Sequence, residues 1–223
     1  ARRPGPRQHA GMPHRWDPRC PPPRIVHPVR VDRAGRSGPT PGQARGSRWR
    51  RVGPSLYVPA SVDAAVPEQR VAEVAGRMPP GAAVSGWAAC RLHGAAFCDG
   101  LGPDARTLLP VPVVLGPAGN VRPFPGATLV WDRIESHEVT RRHGVAVTVV
   151  ERAGFDAMRW AGSVREAVVV ADMLCAARLT SLRRLAAYAA GRPGWRGVPQ
   201  VRRALGLASE PSRSPQEPRL RLI

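Results

Sequence analysis

Glycine and proline set the limits on what this chain can become. Twenty-three glycines and 26 prolines are spread through 223 residues, so part of the chain is loop or unable to pack. Hydrophobic residues make up 43% of the sequence but aromatic residues only 5%, so any core is built mainly from alanine, valine and leucine. No apolar run approaches the roughly 18 residues that a membrane helix requires. The basic opening "ARRPGPRQHAGMPHRW" leads into no apolar stretch, as a secretory signal would.

Between these breakers the periodicities are legible. "PEQRVAEVAGRM" places Pro67 at a first helical position, with Val71, Val74, Ala75 and Met78 on one face. "VSGWAACRLHG" has Ser85 as a cap and Gly94 as a stop. "LPVPVVLG", "GATLVWD", "HEVTRRHG" and "VAVTVV" are short β-rich runs separated by turn residues. Two capping boxes follow, Thr148 with Glu151 and Ser163 with Glu166, opening "ERAGFDAMRWAG" and "REAVVVADMLCAA". "TSLRRLAAYAAG" starts at Thr180 or Ser181 and stops at Gly191, and "GVPQVRRALGLA" forms a last helix. Helices, then strands, then helices predict an α+β fold, here a small domain of helices and antiparallel strands over residues 63–208. Residues 1–24 read as a disordered tail in which Met12 is a candidate natural start. Residues 209–223 read as a linker opening into a new helix.

Residues 25–62 contain "IVHPVRV" and then "GQARGSRWRRVGPSLYVPA". A short basic helix or turn running into a strand is how a winged helix-turn-helix ends, with the recognition helix entering the β-wing. Pro39, Pro41, Gly42 and Gly46 are poor helix residues, so a recognition helix here is short or degraded.

Charge is segregated. All 34 basic residues are arginine, as a GC-rich genome would favour, but codon bias does not dictate where charges fall. Residues 1–60 carry 13 arginines against Asp17 and Asp32. Residues 61–176 carry 11 against 12 acids, and residues 177–223 carry 10 against Glu210 and Glu217. A neutral centre between two basic ends suits a polyanion, because clustered arginines displace its counterions. The expected phosphate contacts are Arg45, Arg48, Arg50 and Arg51, with Trp49 packing beneath, and the pairs Arg183–Arg184 and Arg202–Arg203. Arg192, Trp195 and Arg196 lie between those pairs.

Signals for catalysis are weak. There is no GxSxG, Walker loop or HExxH, so no catalytic residue and no cofactor is expected. Cys90, His93 and Cys98 in "CRLHGAAFC" lack the fourth ligand and tight spacing of a zinc site, so no metal is expected, and the thiols read as packing residues. Free thiols fit a reducing cytoplasm. Glu135, His137, Glu138 and His143 read as the polar outer face of a strand pair. Asp156, Arg159 and Asp172 read as surface ion pairs of little energetic weight.

"SRWRRVGPSLYVP", "AVSGWAACRLHG", "GVAVTVVERAGFDAMR", "AVVVADMLCAARLTSLRRL" and "GWRGVPQVRRAL" occur in this order over about residues 45–222. The arrangement resembles actinobacterial AbiEi-type antitoxins of type IV toxin–antitoxin (abortive infection) systems. The resemblance implies a winged-helix module that binds promoter DNA, followed by an α+β domain that meets a toxin. Many relatives continue into a restriction-endonuclease-like nuclease domain. By that resemblance "ASEPSRSPQEPRLRLI" looks like its linker and first helix, with Glu217 at the place of a metal-assisting glutamate and Pro218 departing from the pattern. Three readings stay open here: a non-enzymatic DNA-binding regulator, the accessory half of a nuclease, and a protein-interaction module.

Overall fold

The computed structural model describes residues 25–117, 121–209 and 214–222, Arg221 by its backbone alone. The expected tail over 1–24, the start at Met12 and most of the linker at 209–213 lie outside these residues.

The N-terminal part is a small antiparallel sheet. Strands β1 (Val29–Arg30), β2 (Trp49–Gly53) and β3 (Leu56–Pro59) pair in the order β1-β3-β2. Residues 25–62 contain no α-helix. Their one helical feature is a 3-10 turn, Gln43–Arg45, held by reciprocal bonds in which the Thr40 N–H donates to Gln43 Oε1 and the Gln43 N–H to Thr40 Oγ1. The basic stretch 45–51 is therefore a turn and a strand, not a short recognition helix. Prolines 39 and 41 and glycines 42 and 46 leave too few residues to close a helical turn.

The main unit begins with α1 (Pro67–Ala75), β4 (Ala83–Val84) and α2 (Gly86–Leu92). It continues with β5 (Val111–Val114), β6 (Ala127–Val130), a 3-10 turn (Ser136–Glu138), β7 (Val139–Arg142) and β8 (Val145–Thr148). All four β-rich runs of the sequence are strands. Their sheet, however, is mixed rather than antiparallel. In the order β6-β5-β4-β8-β7, β4–β5 and β7–β8 are antiparallel, whereas β5–β6 and β4–β8 are parallel. Two causes account for the difference. Strand β6 runs alongside β5 in the same direction, so the chain between them returns to the starting end of the sheet, as a parallel neighbour requires. The central strand β4 is only two residues long and was hidden in the lead-in to α2.

Five helices follow: α3 (Val150–Trp160), α4 (Val164–Ala176), α5 (Leu182–Ala190), α6 (Val198–Leu207) and α7 (Gln216–Arg221). Ser163 caps α4 by accepting from the Glu166 N–H, and Ser181 caps α5 by accepting from the Arg184 N–H. The expected cap at Thr148 does not form. Thr148 ends β8, its hydroxyl is buried against that of Ser85 at 2.9 Å, and Val149 holds the cap position instead. Helix α3 packs against α2, α4, α5 and α6, so it is covered almost all round. Gly154 permits this approach, since a Cβ there would lie 2.6 Å from Leu174 Cδ1.

The core is built from small and branched aliphatics, as the composition requires. One cluster, including Val84, Ala88, Val111, Val113 and Val147, lies under the sheet. A second, including Phe155, Met158, Val168, Leu185, Val201 and Ala204, lies among the helices. Among the described residues no helix is long and apolar enough to cross a membrane.

Candidate nucleic-acid interface

The arginines of the N-terminal sheet do not share one role. Arg45, Arg48 and Arg51 are exposed. Arg51 donates to the Gly53 carbonyl at 3.2 Å, which orients its side chain without neutralising it. Trp49 beside them is partly buried on β2. Arg50 differs. Its two terminal nitrogens are held by the Glu73 carboxylate at 2.9 and 2.7 Å, a bidentate pair that ties the small sheet to α1 and occupies the fork a phosphate would need. The neighbouring loop is set by Asp32, which accepts from the N–H groups of Ala34, Arg36 and Ser37 and from the Ser37 hydroxyl. Those bonds, led by the Ser37 N–H, lower its pKa to about 2. They present Arg33 and Arg36 to solvent.

At the other end, Arg183 and Arg184 occupy the first turn of α5, and Arg202 and Arg203 face outward from α6 opposite its buried Val198, Val201 and Ala204. Arg184 meets Glu151 at 2.8 Å but stays largely exposed. Cations in a first turn oppose the positive end of the helix dipole, so this corner favours an anion. Arg196 is exposed too, but Arg192 turns inward and donates to Glu138 at 2.5 Å.

That inward turn leads to a network the sequence did not announce. Asp156 and Arg152 have no exposed surface, and Glu138 is 2% exposed. Asp156 accepts from Arg152 Nε at 2.7 Å, Arg159 Nε at 2.8 Å and the Ser85 hydroxyl at 2.6 Å. Arg159 continues to Asp132. Arg152 reaches Glu138 at 3.3 Å and the Arg133 carbonyl at 3.0 Å. Its second terminal nitrogen has no hydrogen-bond partner, but the guanidinium carbon stands 4.6 Å from the centre of the Trp195 ring, where a cation–π contact offsets part of the lost hydration. Tyr188 donates to Glu138 as well. Burial works against ionising Glu138, yet Tyr188, the Glu135 N–H, Arg152 and Arg192 outweigh it and hold the carboxyl below its usual range. The Tyr188 hydroxyl is pushed up, first by burial and then by that carboxylate.

The surface roles expected for Asp156, Arg159, Asp172 and Glu138 are thus corrected. Asp156 and Asp172 are fully buried, and Asp172 accepts from the Ser209 N–H at 2.7 Å. Glu138 is not on the face of a strand. It closes the second 3-10 turn, its side chain accepting from the Glu135 N–H. For Asp156 and Arg159 the cause is α3, because a helix enclosed by four others buries polar positions along with apolar ones. The signal was present as Arg152, Asp156 and Arg159, spaced four and three apart on one helical face.

This network is closed and internally neutralised, and it offers no exposed nucleophile or unpaired base. Its role is to fix α3 against the sheet and against α5. His93 bonds through Nε2 to the Thr148 carbonyl at 2.8 Å, and burial lowers its pKa. Among the described residues no three His, Cys, Asp or Glu side chains converge as metal ligands. Glu217 lies exposed on the six-residue α7, which is pinned to α4 by Arg219 and Glu166 at 2.9 Å. No family model, curated protein or solved structure matches the chain.

Proposed function

We propose that this chain is a non-enzymatic DNA-binding regulator of the AbiEi-type antitoxin kind, with a cognate toxin as its protein partner. The small basic sheet serves as the wing of a degenerate winged helix. Arg45, Arg48 and Arg51 hold backbone phosphates there, and Arg183, Arg184, Arg202 and Arg203 form a second contact surface. Arg50 braces the first surface and contacts no phosphate.

One observation carries this reading: most acids among the described residues are already engaged by arginines or by backbone N–H groups. Among the described residues the ten ion pairs engage Glu68, Glu73, Asp132, Glu135, Glu138, Glu151, Asp156 and Glu166. Asp32, Asp63, Asp99, Asp104 and Asp172 hold backbone N–H groups. Arg45, Arg48, Arg51, Arg183, Arg202 and Arg203 join none of these pairs and keep their charge for an external partner, whereas Arg184 shares its charge with Glu151. Phosphate contacts position a protein without reading sequence, so the expected binding is strong and weakly selective. The test is a gel-shift assay on duplex DNA with two triple variants, Arg45/Arg48/Arg51→Ala and Arg183/Arg202/Arg203→Ala. Each should weaken binding to every duplex by a similar factor. Unchanged affinity in both would refute the proposal.

A further inference from the structure

Arg77 is a partly buried cation with no carboxylate partner among the described residues. It donates no hydrogen bond and joins no ion pair among the described residues, and burial alone lowers its pKa. Its position is nonetheless built. The guanidinium carbon stacks 3.9 Å from the centre of the Phe124 ring. Its stem lies against Gly53, where a Cβ would come within 3.0 Å of Arg77 Cδ. A stacked guanidinium presents its donors edge-on, the geometry that carboxylates and phosphates accept.

Arg77 lines a cavity of about 360 Å³ between α1, the start of β5 and the turn before β6, walled by Val74, Leu108, Leu109, Val111 and Pro125 and reached by Val52 of the small sheet. Arg70 lines the same cavity and is held by the carbonyls of Gly100 and Leu109, with no carboxylate bonded to it. The cavity's one acid, Glu73, has both oxygens committed to Arg50. The recess therefore combines an uncompensated positive edge with apolar walls, and its size suits a small ligand.

We infer that this cavity is a binding site for a small organic anion, a carboxylate or phosphate monoester on an apolar body, with Arg77 holding the head group and the wall between Val74 and Pro125 the tail. The site stands independently of the DNA-binding surface.

Calorimetric titration of the intact chain with phenyl phosphate and with phenylacetate tests the inference, benzyl alcohol serving as the neutral control. Both anions should bind saturably, and benzyl alcohol about tenfold more weakly or not at all, since only the anions gain charge-assisted bonds. Arg77→Met, which keeps the stem against Gly53 and Phe124, should lose about tenfold in anion affinity. No saturable anion binding by the wild type, or equal binding by Arg77→Met, overturns the site. Should that variant fail to fold, the Arg77 Nε–H resonance of the wild type decides. A shift on adding phenyl phosphate supports the site, and a stationary signal overturns it. Saturating duplex DNA should leave phenyl phosphate binding unchanged. Displacement by DNA would instead assign the cavity to the nucleic-acid surface and overturn the inference.

Discussion

Replacing Asp156 with alanine is the sharpest perturbation of this fold. The carboxylate accepts three buried hydrogen bonds, from Arg152, Arg159 and Ser85 at 2.7, 2.8 and 2.6 Å. Its removal leaves Arg152 with a single carboxylate contact, Glu138 at 3.3 Å, inside a fully buried site. Arg159 keeps Asp132, whose side chain is 30% exposed. Breaking a buried pair in this way costs about 3–5 kcal/mol, because a charge is left without compensation. Domains of this kind are held by only about 5–15 kcal/mol in total. Each kcal/mol moves the melting temperature of a chain this long by about 2–4 °C, so Asp156→Ala should melt about 6–20 °C below the wild type. Circular dichroism melts and urea titrations measure this directly. The paired variant Arg152→Met with Asp156→Leu removes both charges and should recover most of the loss. A loss below about 1 kcal/mol for Asp156→Ala, the range of an exposed pair, would refute the view that this network holds α3 in place.

Two further perturbations follow from the same packing. Glu138 is held below its usual pKa in the folded chain, so its stabilisation is present above the unfolded value of about 4.3 and is lost as pH falls below it; Glu138→Gln should flatten that acid limb in pH-dependent urea titrations, and an unchanged slope would contradict the assignment. Gly154→Ala gains up to about 1 kcal/mol of helix propensity but puts a methyl 2.6 Å from Leu174 Cδ1 and 3.1 Å from Leu185 Cδ2; overpacking of about 1–3 kcal/mol should win, and a raised melting temperature would show that the helices give way.

How legible these features were depended on whether they were local. Strands β5 to β8 and helices α1 to α6 came through as periodicity bounded by Gly, Pro and caps, and Ser163 and Ser181 cap as the spacing indicated. Central strand β4 did not, since two residues carry no period and its place is set by partners distant in sequence. Thr148 has the spacing of a cap, yet the hydroxyl of Ser85 competes for it across the sheet. Arg50 and Arg51 are adjacent and alike in sequence, but opposite sides of one strand give one to Glu73 and the other to solvent. The buried acids were misread for the same reason. A polar residue on a helix reads as exposed until the neighbours that enclose it are known.

The central claim is that the exposed arginines of the two ends grip a polyanionic backbone, and the salt dependence of duplex binding tests it most directly. Anisotropy titrations with a labelled duplex between 50 and 200 mM salt should give log Kobs falling linearly with log salt, with a slope of roughly −3 to −4 if one end engages and about −6 if Arg45, Arg48, Arg51, Arg183, Arg184, Arg202 and Arg203 all do. A slope near zero, or no binding at the lowest salt, would contradict the account.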